Sequence, residues 1–155
     1  MKGNKEQIGL AGEYAVASEL CRRGYYAQLT LGNHKKTDIL VEDADKVFRV
    51  SVKAKTGSQW PKVGGIWQKY DLLVFVDFKG KEFRERPDFF VLDVKSWKIV
   101  ANKIVESKTD GAFLDSENTV SWEPWENHPK GWKGCAISRK HVEAYQDKWP
   151  TPKKP

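Results

Sequence analysis

The sequence predicts a single α/β domain in which helices flank a central mixed β-sheet in three layers. Three observations predict it: a helical period near the N-terminus, the two-residue period of strands after Gly24, and a nearly continuous apolar run at 71–78. A chain of 155 residues can bury one substantial core but is too short for two ordinary domains. We expect residues 1–149 to form this domain and residues 150–155 to be a solvated basic tail.

The first helix is predicted over residues 5–23. Steps of 100° per residue collect most of its apolar side chains in one arc, which contains Leu10, Tyr14, Val16, Ala17, Leu20 and Cys21. Glu19 falls outside the arc, whereas Glu13 falls near its middle and is expected to be at least partly buried. An unpaired buried charge is costly, so Glu13 is satisfied by a backbone donor or a lysine, reaches the rim, or serves a function. Gly24 is typical of the residue that follows a helix.

Strands are predicted after this helix at 25–31, 37–42 and 47–55, with a loop at 32–36 and a turn at 43–46. The third strand alternates between an apolar face and a polar, mostly basic face that carries Arg49, Ser51, Lys53 and Lys55. Residues 71–78 are typical of a central strand covered on both faces, and a further strand is expected at 88–93. Helices are predicted at 94–105 and 138–149, the second with Ser138 as its N-cap. Residues 118–134, rich in tryptophan, proline and glycine, are expected to be packed but irregular.

Composition narrows the class of protein. Apolar residues make up 39% of the chain, which is typical of a globular protein. The formal net charge of +6 is compatible with a polyanionic partner such as DNA. No apolar run is long enough to span a membrane, and no export signal opens the chain, so we expect no membrane association. The two cysteines give no disulfide framework, and we expect a cytoplasmic protein.

The polar residues of the first three strands suggest phosphodiester chemistry. Metal-assisted hydrolysis needs hard oxygen ligands for Mg²⁺ and a positive group that stabilises the charge developing on the phosphate. Asp38, at the start of one strand, and Lys53, on the next, can bring these groups together. Glu13, on the inward arc of the first helix, can approach the same place.

This set of residues resembles the PD-(D/E)XK nuclease superfamily, especially its small members similar to archaeal Holliday junction resolvases. The resemblance is carried by "GLAGEYAVASELCRRGY", "TDIL", "SVKAK" and "YDLLVFV", within roughly residues 5–78. It implies a restriction-endonuclease-like fold, DNA endonuclease activity that depends on Mg²⁺ (or Mn²⁺), and a homodimer. It also implies an active site of Glu13, Asp38, Ser51 and Lys53, in which Asp38 and Glu13 bind the metal and Lys53 orients water or stabilises charge.

Ser51 departs from the family pattern, because the residue two before the lysine is usually an acid. A serine hydroxyl is a neutral and weak metal ligand. One alternative is that another acid, such as Glu42 or Asp71, has taken over the role. Another is that the chain is a catalytically impaired nuclease-like fold that binds nucleic acid or a protein partner.

Further residues are candidates for nucleic-acid contact. Lys35, Lys36 and Lys55 lie close in sequence to the predicted site. Residues 56–70, with glycines, lysines and aromatic residues, are predicted to form a flexible loop in which Trp60 or Trp67 stacks on a base. The alternative for both tryptophans is a place in the core.

Overall fold

The structure, a computed structural model, describes residues 2–31 and 37–153. Its main helices are α1 (Lys5–Arg22) and α2 (Val94–Ser107), and a short α3 (Arg139–Val142) continues into a 3₁₀ turn at Glu143–Tyr145. The longer strands are β1 (Tyr26–Leu29), β2 (Ile39–Asp43), β3 (Lys46–Lys55), β4 (Gln59–Val63), β5 (Leu72–Asp77) and β6 (Asp88–Asp93). The shorter strands are β7 (Phe113–Leu114), β8 (Val120–Trp122), β9 (Trp132–Lys133) and β10 (Cys135–Ser138).

The central sheet has five strands in the order β1-β2-β3-β5-β6. Strands β1, β2 and β3 form an antiparallel meander, β3 and β5 run parallel, and β6 is antiparallel to β5. The predicted mixed sheet is therefore confirmed. All six residues of β5 are buried, as the apolar run at 71–78 predicts for a central strand.

Helices cover both faces of the sheet and produce the predicted three layers. On one face, α1 packs on the inward residues of β3 and β5, including Val52 and Val74. On the other face, Leu73 and Phe75 are covered by α2 and by a two-stranded antiparallel sheet formed by β4 and β10. The β3 face that carries the basic residues is therefore turned toward α2, and the apolar face toward α1.

Helix α1 begins at a capping box made by Asn4 and Gln7, which the sequence analysis did not identify. It is followed by Gly24 at φ +96°, as the sequence predicts. Its buried face, however, is rotated relative to the predicted arc. Tyr14 is 60% exposed and Glu19 only 5% exposed, and Leu10 is also exposed. The reason is a close approach at Gly12, where a Cβ would lie 2.6 Å from the Cβ of Ala54.

Several segments differ from the sequence prediction. Strands β8 and β9 lie within 118–134, which was expected to be irregular, and β7 and β10 were not predicted. The expected loop at 56–70 contains β4, and the last helix is only four residues long before its 3₁₀ turn. The tail is anchored in part, since the N–H of Lys153 donates to the carboxylate of Asp43 at 3.2 Å. None of the helices in the described ranges combines the length and apolar composition of a membrane span.

Candidate functional site

The strand pairing leaves an open edge on β3. The β2–β3 ladder begins with Ile39 opposite Val50, so that in the described ranges residues 51–55 have no paired strand on the β2 side. Asp38 lies where the ladder stops. Its N–H donates to the carbonyl of Val50 at 3.1 Å, and its Oδ2 accepts the N–H of Val52 at 2.7 Å. The carboxylate is therefore fixed against the backbone of β3, one residue beyond the β2–β3 pairs.

Glu13 and Lys53 approach this edge from opposite faces of the sheet. Glu13 follows Gly12, which contacts the α1-facing residues of β3, whereas Lys53 alternates to the face turned toward α2. Glu13 is nevertheless within electrostatic reach of both groups: burial raises its pKa most, the charge of Asp38 raises it further, and the charge of Lys53 lowers it. The three residues that the sequence predicts to come together thus approach this edge from both faces of the sheet rather than from one.

The two carboxylates are destabilised in their charged forms. Burial raises the pKa of Asp38, while the hydrogen bond from Val52 and the charge of Lys53 act in the opposite direction. Burial also raises the pKa of Glu13, and the negative charge of Asp38 adds to this effect. Two repelling, partly dehydrated carboxylates beside an ammonium group form an arrangement typical of functional sites, and a bound cation would relieve it.

The two carboxylates at this edge are a donor set that fits Mg²⁺. Magnesium is commonly held by one or two carboxylates, with water and substrate phosphate completing its octahedron. Asp38 and Glu13 supply that number. Within residues 2–31 and 37–153, no cluster of three or more His, Cys, Asp or Glu side chains has metal-binding geometry.

The structure shows where Ser51 lies, and where Asp71 and Glu42 lie, the two acids considered as replacements for the missing carboxylate. Ser51 is 8% exposed and lies on the same face of β3 as Lys53. Asp71 forms a two-point ion pair with Arg49, at 2.6 and 3.1 Å, and accepts the N–H of Gln68. Glu42 lies opposite Val47 near the other end of β2. Neither acid replaces the missing carboxylate at the open edge.

The predicted nucleic-acid contacts of Lys55 and Trp60 are wrong. Lys55 is 5% exposed, and its Nζ donates to Asp77 at 2.8 Å and to the carbonyl of Gly57 at 2.9 Å. Trp60 is 1% exposed, with its ring packed beneath that ammonium group and its Nε1 donating to the carbonyl of Val76. Both side chains belong to the core on the α2 side. Lys35 and Lys36 lie outside the described residues.

The basic face of β3 has a structural explanation that the sequence reasoning missed. The neighbouring parallel strand is flanked by Asp71 at its start and ends with Asp77, which pair with Arg49 and Lys55 respectively. Both pairs have the same sequence separation of 22, which is the signal that could have revealed them. Two of the three basic side chains are thus held by β5, and Lys53 lies between them.

Comparisons with known proteins add little to this geometry. No family model and no curated protein matches the chain. Among solved structures, a bacterial homing endonuclease is similar with 15% sequence identity and a TM-score of 0.42, over 60% of this chain and 71% of that chain. A likeness at this level does not indicate a shared function.

Proposed function

We propose that this protein is a nuclease that hydrolyses phosphodiester bonds of DNA with Mg²⁺ (or Mn²⁺) at the open edge of β3. The observation that carries the proposal is the grouping of Glu13, Asp38 and Lys53 where the β2–β3 ladder ends, with the Asp38 carboxylate held by the N–H of Val52. The set was selected in sequence by its resemblance to the PD-(D/E)XK superfamily. The predicted homodimer and cytoplasmic location stay predictions.

Each residue has a distinct part in the proposed chemistry. Asp38 and Glu13 would hold the metal, which when bound acts as a Lewis acid toward the phosphate and lowers the pKa of water. The amide of Val52 fixes one oxygen of Asp38, so the carboxylate is oriented before any ligand arrives. The ammonium group of Lys53 stabilises negative charge that develops on the phosphate and helps to orient the attacking water.

Ser51 favours a second candidate function. With a hydroxyl in place of the usual acid, the site has less negative charge and should bind Mg²⁺ more weakly. In this alternative the chain keeps the fold and binds nucleic acid or a protein partner without cleaving.

Cleavage assays separate the two candidates. Supercoiled plasmid, linear duplex and branched DNA are incubated with Mg²⁺ or Mn²⁺ and wild type, Asp38→Asn or Ser51→Glu. Asp38→Asn should abolish cleavage, and Ser51→Glu should increase it, because the new carboxylate points to the same face as Lys53. Since Ser51 is buried, the shorter Ser51→Asp is tested in parallel. Asp45→Asn, an exposed acid in the β2–β3 turn, is the matched control and should cleave like wild type.

Two results decide against catalysis at this edge. Cleavage that survives Asp38→Asn unchanged would show that the metal site is elsewhere. DNA binding without cleavage by wild type, Ser51→Glu and Ser51→Asp would establish the second candidate. Thermal unfolding is a further test of metal binding. Mg²⁺ should raise the Tm of wild type but not that of Asp38→Asn, because ligands stabilise the state they bind.

A further inference from the structure

A basic groove lies at the end of the sheet where β3 and β5 begin. It consists of two cavities of about 680 and 330 Å³ that share Tyr70 and Asp93 as lining residues. Five lysines line the groove, namely Lys46, Lys69, Lys95, Lys98 and Lys153. Its two carboxylates, Asp43 and Asp93, each already accept a backbone N–H, at 3.2 and 2.7 Å respectively. With five lysines against two carboxylates, the net charge of the lining is positive.

Tyr70, at the junction of the two cavities, is held in an unusual way. Its φ is +71°, a left-handed conformation that a bulky residue rarely adopts, and the residue is 46% exposed. The ammonium groups of Lys46 and Lys69 lie 4.0 and 5.0 Å from its ring centroid. An exposed ring on strained backbone contributes little to the core, and such strain is concentrated at functional sites.

The groove continues toward the candidate catalytic edge. Trp67 lines one cavity, and the guanidinium group of Arg49 lies 4.7 Å from the centroid of its ring. Arg49 is on the same face of β3 as Ser51 and Lys53. From Lys46 to Lys53, β3 rises by roughly 23 Å at about 3.3 Å per residue, which is less than the ~34 Å of one duplex turn. One nucleic acid can therefore reach both places.

We infer that this groove binds an unpaired nucleic-acid strand, with its phosphates on the lysines and a base stacked on Tyr70. Charge complementarity selects a polyanion. The exposed aromatic ring selects a single strand, because the faces of paired bases are already covered by their neighbours in the duplex, whereas an unpaired base can stack on a side chain. The inference rests on the proposed function for its link to cleavage, since it assigns an unpaired segment to the substrate. Binding itself is measurable without cleavage.

The test uses the Asp38→Asn chain in EDTA, so that no strand is cut, and fluorescence anisotropy with labelled oligothymidine and a duplex of equal length. Tyr70→Gly removes the ring and also suits the positive φ, so its fold should be retained. It should weaken single-strand binding by roughly 5- to 150-fold, the equivalent of one base stack, and change duplex binding less than about twofold. Tyr70→Phe keeps the ring and should bind like the parent. Circular dichroism and Tm verify folding of each variant.

The contribution of the groove lysines to phosphate binding is tested separately. The double variant Lys69→Gln/Lys98→Gln should make the slope of log affinity against log salt shallower by about 1.4 for the single strand, at about 0.7 per phosphate contact. Lys103→Gln, an exposed lysine of α2 that does not line either cavity, is the matched control and should leave the slope unchanged.

Several outcomes would overturn the inference. The first is that Tyr70→Gly loses duplex affinity as much as single-strand affinity, and the second is that its single-strand affinity is unchanged. The third is that Lys103→Gln changes the salt slope as much as the double variant of the groove lysines. Competition by a free mononucleotide as effective as the strand would identify a nucleotide pocket instead. Loss of cleavage in Asp38→Asn with groove binding intact supports both assignments, whereas groove binding by a wild type that never cleaves contradicts the proposed nuclease alone.

Discussion

Lys55→Met tests whether the buried pair with Asp77 stabilises the sheet. The two side chains are each 4% exposed and their charged atoms lie 2.8 Å apart. Methionine keeps most of the apolar stem but leaves Asp77 without its main partner. Breaking a buried ion pair in this way costs about 3–5 kcal/mol. We expect the lower end, because Asp77 keeps the N–H of Lys79 at 3.0 Å and Arg139 at 3.6 Å.

Urea denaturation measures this loss as a change in the free energy of unfolding. A loss of about 3 kcal/mol corresponds to a fall in Tm of roughly 6–12 °C for a chain of this size. Asp77→Asn and the double variant complete a cycle, in which we expect a coupling energy of about 0.5–3 kcal/mol. Lys103→Met, an exposed lysine on α2, is the control and should change stability by no more than about 0.5 kcal/mol. If Lys55→Met costs no more than this control, the ion pair does not stabilise the fold, and a surface role for Lys55 would have to be reconsidered.

Three further predictions concern α1 and the open edge. Gly12→Ala should lower the free energy of unfolding in urea by about 1–3 kcal/mol, because its Cβ would lie 2.6 Å from that of Ala54. Adding Ala54→Gly to this variant should restore the lost stability, and a Gly12→Ala variant more stable than wild type would contradict the close packing. Glu19→Gln should cost about 1–3 kcal/mol, since the buried carboxylate accepts hydrogen bonds from Arg23 and Arg86; an unchanged Tm would contradict this. In EDTA at neutral pH, Asp38→Asn should be more stable than wild type, because burial raises the pKa of Asp38 and penalises its charged form. The difference should shrink as pH falls through the raised pKa of folded Asp38 and vanish below the ordinary value near 4, and an advantage independent of pH would refute this cause.

Local patterns were sufficient for most elements. The two-residue period of 47–55 predicted β3, and the apolar run at 71–78 predicted β5. Both patterns can be recognised from adjacent residues in the sequence. Strand β4 was missed, since its glycine-flanked sequence is typical of a loop and its pairing partner, β10, lies more than 70 residues later in the chain. Trp60 was misassigned for the same reason: the distant strands that bury it are not visible locally.

The sequence by itself determined that Arg49, Ser51, Lys53 and Lys55 share one face of a strand, and that Glu13, Asp38 and Lys53 are the residues to examine. Only the tertiary structure decided what these side chains do. The parallel register of β3 and β5 pairs Arg49 with Asp71 and Lys55 with Asp77, and at the end of the β2–β3 ladder the N–H of Val52 fixes Asp38 against β3. The docking of α1 at Gly12 likewise decided which helix residues are buried. Periodicity is a property of adjacent residues, whereas register and docking depend on contacts between segments that are far apart in the chain.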